Sequence, residues 1–154
     1  MDKTLIIGYG SPIRGDDAIG PLAVERLVER GLPAGVEAIA RHVLTAELVT
    51  ELAGRERVIF LDAAAGGEPG MVQVHCLEPD ADAHSTMAHF LDPSELLAWC
   101  RQLYGQAPEA YLITATGACF DYAHCQLSPV AEAALDRLLE QVERVWGFEQ
   151  DSKI

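Results

Sequence analysis

Val58-Ile59-Phe60-Leu61-Asp62-Ala63-Ala64-Ala65-Gly66-Gly67 is an unbroken apolar run closed by one acid, small residues and a glycine pair. Four consecutive apolar side chains need cover on both faces, which describes a central strand of a parallel sheet. The turn residues that follow put Asp62 at the carboxyl end of that strand. Towards the N-terminus, Thr4-Leu5-Ile6-Ile7 repeats the pattern and runs into Gly8-Tyr9-Gly10, a second buried strand entering a loop. Between the two, Pro21 to Val28 has apolar residues at helical spacing with Glu25, Arg26, Glu29 and Arg30 outward, and Gly31 and Pro33 stop it. Val36 to Val43 reads as a strand, and Leu48, Val49 and Leu52 as a short helical stripe started by Thr45 and ended by Gly54.

Beyond Gly67, Met71 to Cys76 alternates: Val72, Val74 and Cys76 share an apolar face, as in an edge strand. Residues 77–91 form the longest irregular segment and carry His84 and His89. Asp92-Pro93-Ser94-Glu95 opens a helix, with Asp92 as N-cap and Pro93 at the first helical position; Leu96, Leu97, Cys100 and Leu103 supply its apolar stripe. Tyr111 to Thr116 is a fifth strand. Ser128-Pro129 starts a last helix with Leu135, Leu138, Leu139, Val142 and Val145 inward. Strands alternating with helices predict an α/β layered domain with a mostly parallel sheet, whose ligands bind beyond the carboxyl ends of the strands.

The 154 residues suit a single domain, with 1–148 globular and 149–154 a tail. Eleven basic against twenty-four acidic residues give a charge of −13, which repels polyphosphates and argues against nucleic acid. The two lysines, Lys3 and Lys153, stand near the ends, which removes the P-loop phosphate clamp and the pyridoxal Schiff base. No run approaches the ~20 apolar residues that span a bilayer. With no secretory leader pattern and no C-x-x-C pair among Cys76, Cys100, Cys119 and Cys125, the expected location is the cytoplasm. Nothing in the composition demands a dimer, so a monomer is expected.

Chemistry is sought where strand ends carry acids: Asp16 and Asp17 after the first strand, Asp62 after the third. In Gly8 to Gly20 the glycine spacing is wrong for a dinucleotide fingerprint, and two aspartates stand where a pyrophosphate would lie. Carboxylates and an imidazole instead suit a borderline divalent cation. Asp17 is favoured over Asp16 as a ligand, because an Asp17 N-cap would place Pro21 where its missing N–H forfeits the first helical bond. Adjacent parallel strand ends lie ~5 Å apart, so Asp62 and the aspartate loop can share an ion. His89, three residues before a well-capped helix, is preferred as third ligand, with His84 in reserve and His124 more remote. His42 and His75 read as solvated. Cys76 and Cys100 read as core, and Cys119 and Cys125 lack a clear partner base.

The stretches Ile6-Ile7-Gly8-Tyr9-Gly10, Arg14-Gly15-Asp16-Asp17-Ala18-Ile19-Gly20-Pro21 and Val58-Ile59-Phe60-Leu61-Asp62-Ala63 together resemble the hydrogenase maturation endopeptidases. So do His89 followed by Pro93 to Leu97, and Gly117 to Phe120 followed by Leu127-Ser128-Pro129. The resemblance implies a three-layer α/β sandwich of the phosphorylase/hydrolase-like kind, with a five-stranded mixed sheet. It implies removal of a C-terminal peptide from the nickel-loaded large-subunit precursor of a [NiFe] hydrogenase. It further implies nickel binding by Asp17, Asp62 and His89, the metal being borne by the substrate and bridged by the protease. Asp17 or Asp62 would activate water, with Gly10, Ser11, Asp16 and Thr45 as substrate-binding or loop-support positions. The chain has Ser11 where the family commonly has asparagine, Ala18 where it often has glycine, and His42 to Leu48 in place of a glycine-rich turn.

Two other readings compete. A catalytically silent relative would bind nickel or precursor without cutting. A signalling receiver domain also pairs acids after its first strand with a phosphoacceptor after its third, but it needs a lysine after its last strand, where this chain has Thr114-Ala115-Thr116-Gly117.

Overall fold

In the computed structural model the described residues are 2–82, 91–121 and 126–151, with 147–151 described as backbone only. His84, His89, His124 and Cys125 lie outside them. The elements run β1 (Thr4–Tyr9), α1 (Ile19–Arg30), β2 (Val36–Arg41), α2 (Val49–Leu52), β3 (Arg57–Ala64), β4 (Val72–Leu77), α3 (Pro93–Tyr104), β5 (Glu109–Thr116) and α4 (Pro129–Asp151), with short 3-10 turns at Gly15–Ala18 and Ala46–Leu48.

The sheet has the order β2-β1-β3-β5-β4. All pairings are parallel except β4 with β5. Hairpin-length connections cannot join parallel neighbours, so helices cross over and cover both faces. Strand alternation then sorts the core into two. Ile6, Ile59, Leu61 and Ile113 pack on α1 and α4, burying Ala23, Leu27, Leu135 and Leu138. Leu5, Ile7, Val58 and Phe60 pack on the other side against Leu48, Leu52, Leu96 and Leu97 of α2, its leading turn and α3. The result is the three-layer α/β sandwich with a mixed five-stranded sheet.

Helix ends follow local chemistry. The Asp92 carboxylate accepts the Ser94 N–H at 2.8 Å with Pro93 at the first turn, and Gly105 closes α3 at φ +84°. α1 begins differently: Ala18 is its cap residue, with no side-chain cap bond, and Pro21 falls in its first turn, where its missing donor has no intrahelical partner to lose.

Four expectations are corrected. β2 ends at Arg41 rather than Val43. Within β4 only Val72 reaches the α1/α4 core; Val74 is 42% exposed and Cys76 is an exposed thiol rather than a core one. Leu103 is 62% exposed. Periodicity marks a face as apolar, but a face is buried only where another element lies over it. Finally, α4 continues to Asp151, so 149–151 are helical where a tail is expected.

Candidate functional site

Two glycines bring the aspartate loop onto the strand ends. A Cβ on Gly20 would stand 2.5 Å from the Leu61 carbonyl oxygen and collide with that of Tyr9, so only glycine lets the first turn of α1 lie against β1 and β3. Gly10, at φ +142°, turns the chain where a side chain would strike the Asp17 backbone. Across that contact the buried Ser11 N–H donates to Asp17 Oδ2 at 2.9 Å. Asp17 is therefore tied by its side chain to the turn after β1, and capping of α1 does not use it.

Asp16 faces the other way and is fully buried. Its Oδ2 accepts from Ala118 N at 2.7 Å, Cys119 N at 3.0 Å and Ser128 Oγ at 2.7 Å, while Oδ1 accepts from Ser128 N at 2.8 Å. Burial alone would raise its pKa; the donors from Ser128, Ala118 and Cys119 outweigh that and hold it below the ordinary aspartate value. Asp16 N donates in turn to Cys119 O at 2.7 Å, so this residue fastens the acid loop to the chain after β5 and to the start of α4.

Asp62 shares the α2/α3 face of β3 with Val58 and Phe60. Its Oδ1 accepts from Ala63 N at 2.8 Å. Burial first, and then the negative charge of Asp17, raise its pKa to about 7, against the lowering effect of the nearby Tyr9 phenol and the Ala63 hydrogen bond. The two aspartates expected at the strand ends thus interact through space. Tyr9 was not singled out by the sequence reading. It is the last residue of β1, and its ring meets Phe60 edge-on at 6.4 Å and 83°. Burial, and the negative charges of Asp62, Asp92 and Asp17, push the phenol well above its ordinary value. The available signal was periodicity: Leu5, Ile7 and Tyr9 alternate onto one face, and Gly8 pairs with Leu61, which sets Tyr9 beside Asp62.

Asp92 joins this neighbourhood from the start of α3 through its charge on Tyr9. Thr45 precedes the turn Ala46–Leu48 and makes no side-chain cap bond, its carbonyl accepting from Leu48 N at 3.1 Å. The adjacent Leu44 carbonyl accepts from Leu91 N at 3.3 Å, so the chain re-enters on this same face two residues after His89, which lies outside the described residues. Among the described residues no three His, Cys, Asp or Glu side chains are grouped to hold a metal ion. Asp17 and Asp62 offer two oxygen donors of the kind a divalent cation accepts, and their mutual repulsion is what a cation would relieve. His42 and His75 are exposed.

Comparison with known proteins finds relatives over most of the chain. The Escherichia coli (strain K12) hydrogenase 2 maturation protease is 28% identical over 145 residues, 91% of this chain and 88% of that protein. The hydrogenase maturating endopeptidase HybD from E. coli superposes with a TM-score of 0.82 at 26% identity, covering 96% of this chain and 93% of its own. The hydrogenase 2 maturation peptidase from Thaumarchaeota archaeon SCGC_AB-539-E09 superposes at 0.72 with 28% identity, covering 94% and 98%. The family model described as HycI, hydrogenase maturation protease, matches residues 21–145, a span that begins just after the acid loop and includes Asp62. With most of its length matched, the chain belongs to the hydrogenase maturation protease family.

Proposed function

We propose that this protein is a processing endopeptidase that removes a C-terminal peptide from the large-subunit precursor of a [NiFe] hydrogenase, in the cytoplasm and as a monomer. The observation that carries the reading is the Asp17–Asp62 pair at the carboxyl ends of the sheet, with Asp62 held near pH 7. One of the two carboxylates, Asp17 or Asp62, is assigned as the base: it accepts a proton as water adds to the scissile carbonyl carbon, and it gives the proton to the departing amine as the C–N bond breaks. Asp17 and Asp62, with His89 as third donor, are assigned to the nickel carried by the precursor. Nickel there supplies positive charge to the acid pair, so a loaded precursor is held and an unloaded one is not. That discrimination makes the protease a checkpoint on metal insertion. Gly10 and Ser11 support the reading by fixing Asp17, and Asp16 by fixing the loop itself.

The test is the mass of a hydrogenase large-subunit precursor, nickel-loaded and nickel-free, before and after incubation with the protein. Loss of a C-terminal peptide from the loaded form alone is the expected result. Cleavage of both forms keeps the enzyme and removes the checkpoint. Processing that survives in each of Asp17→Ala, Asp62→Ala and His89→Ala removes the assigned roles. Nickel binding without cleavage identifies the silent relative.

A further inference from the structure

We propose that Ser128 is a positioning residue, whose hydroxyl acts through Asp16 to hold Asp17 in place at the strand ends. The inference rests on the reading of Asp17 and Asp62 as the acid pair of the processing site. Asp16 and Asp17 are neighbours in the 3-10 turn Gly15–Ala18, where successive side chains stand about 120° apart. Locking Asp16 inward therefore sets the direction taken by Asp17, which is half-buried. The turn has no side-chain cap bond of its own. Its fixed reference is α4.

Ser128 reaches both oxygens of the buried Asp16 carboxylate: its hydroxyl donates to Oδ2 at 2.7 Å and its N–H to Oδ1 at 2.8 Å. The donors from the chain after β5, Ala118 N and Cys119 N, both meet Oδ2. The hydroxyl is itself held, because its oxygen accepts from Ala131 N at 3.3 Å in the first turn of α4. Ser128 is thus a helix cap that gives its spare proton to Asp16. Behind it, Ala131, Ala134, Leu135 and Leu138 are fully buried against the sheet, so α4 cannot shift without opening the core. On the far side of Asp16, Gly117 N donates to Ala64 O at 3.0 Å, two residues beyond Asp62. The next two amides are those that meet Asp16. One carboxylate therefore ties together the acid loop, a segment bonded to the end of β3, and α4; the Ser128 hydroxyl is the side-chain link to the helix.

The Ser11 N–H, bonded to Asp17 Oδ2 at 2.9 Å, reports where Asp17 stands. In the metal-free protein, Ser128→Ala is expected to speed hydrogen exchange at the Ser11 amide about tenfold while amides of β3 keep their rates, and Ser128→Thr to restore it. Cobalt(II) affinity should fall about tenfold in Ser128→Ala and return in Ser128→Thr, as when an outer partner of a metal ligand is removed. Val142→Ala truncates a fully buried side chain further along α4 and should leave both readings unchanged. With loaded precursor, kcat should fall in Ser128→Ala at constant KM. Ser11 exchange as slow in Ser128→Ala as in the wild type overturns the proposal, whatever the processing assay shows. Equal acceleration in Val142→Ala also overturns it, since the effect would then be one of helix stability. A wild type that cuts no precursor, combined with fast Ser11 exchange in Ser128→Ala alone, removes the processing reading and keeps the positioning role. If Ser128→Ala loses stability, Ser128→Gly decides: it keeps a residue accepted at helix caps but has no hydroxyl, and fast Ser11 exchange is again required.

Discussion

Asp16 and Asp62, both aspartates at strand ends, have opposite linkage to pH. Asp16 has a lowered pKa in the folded protein, so its contribution to stability is present above the unfolded value near 4 and is lost as pH falls through the folded one. Replacing it by alanine leaves buried donors at Ser128, Ala118 and Cys119 without their acceptor. Asp16→Ala should cost about 1–3 kcal/mol or more in urea unfolding at pH 7, a loss that shrinks on acidification. Asp62 has its folded pKa raised to about 7, so between pH 4 and 7 the folded state binds more protons and stability declines as pH rises through that window. In metal-free protein Asp62→Asn is therefore expected to be the more stable form, by about 2–4 kcal/mol at pH 8 and by little at pH 4. Equal stability of the two forms at pH 8 would mean that Asp62 carries no such cost. The two roles were not equally legible in the sequence. Strand-end position singled out all three aspartates, but which one turns inward depends on donors at residues 118, 119 and 128, more than a hundred positions away.

At the scale of elements, the site depends on how closely α1 approaches the sheet. Gly20→Ala should destabilise the protein by about 1–3 kcal/mol or more, because the added methyl meets backbone oxygens that cannot move without parting β1 from α1. It should also weaken any cation binding at Asp17, which the same turn carries; a variant with wild-type melting temperature and binding would dissociate helix approach from the site. The cap of α3 is the milder case. Asp92→Ala removes the bond to Ser94 N and is expected to cost about 1 kcal/mol by thermal or urea unfolding. Caps, the proline at the start of α3 and the apolar stripes could all be read in the sequence, since each is set by residues within a turn or two. The start of α1 was harder to read, because a 3-10 turn over Gly15–Ala18 precedes it and no side chain caps it.

Across the whole molecule, cover decides reactivity. Cys100 is on the buried face of α3, in the core, while Cys76 lies on β4, a sheet edge whose apolar face α4 reaches only at Val72. A thiol reagent at neutral pH should modify Cys76 in the native state, seen as signal lost in Cys76→Ser, and should reach Cys100 only on unfolding. Native labelling unchanged in Cys76→Ser would contradict the exposed edge. Among the described residues no helix is long and apolar enough to cross a membrane. Patterns that act locally were legible from the chain alone: buried runs at 4–7 and 58–61, alternation at 71–76, helix starts at Asp92 and Ser128, and the acids at strand ends. They suffice for a parallel α/β sandwich and for the place where its chemistry lies, because hydrophobic periodicity and turn residues depend on neighbours in sequence. The remainder came from contacts between distant segments. Strand order set Tyr9 beside Asp62, the approach of α1 brought Asp17 near both, and the reach of α4 left Val74 and Cys76 uncovered. Burial and electrostatic coupling are properties of what lies across a gap in space, and one-dimensional periodicity says which face of an element is apolar without saying what will meet it.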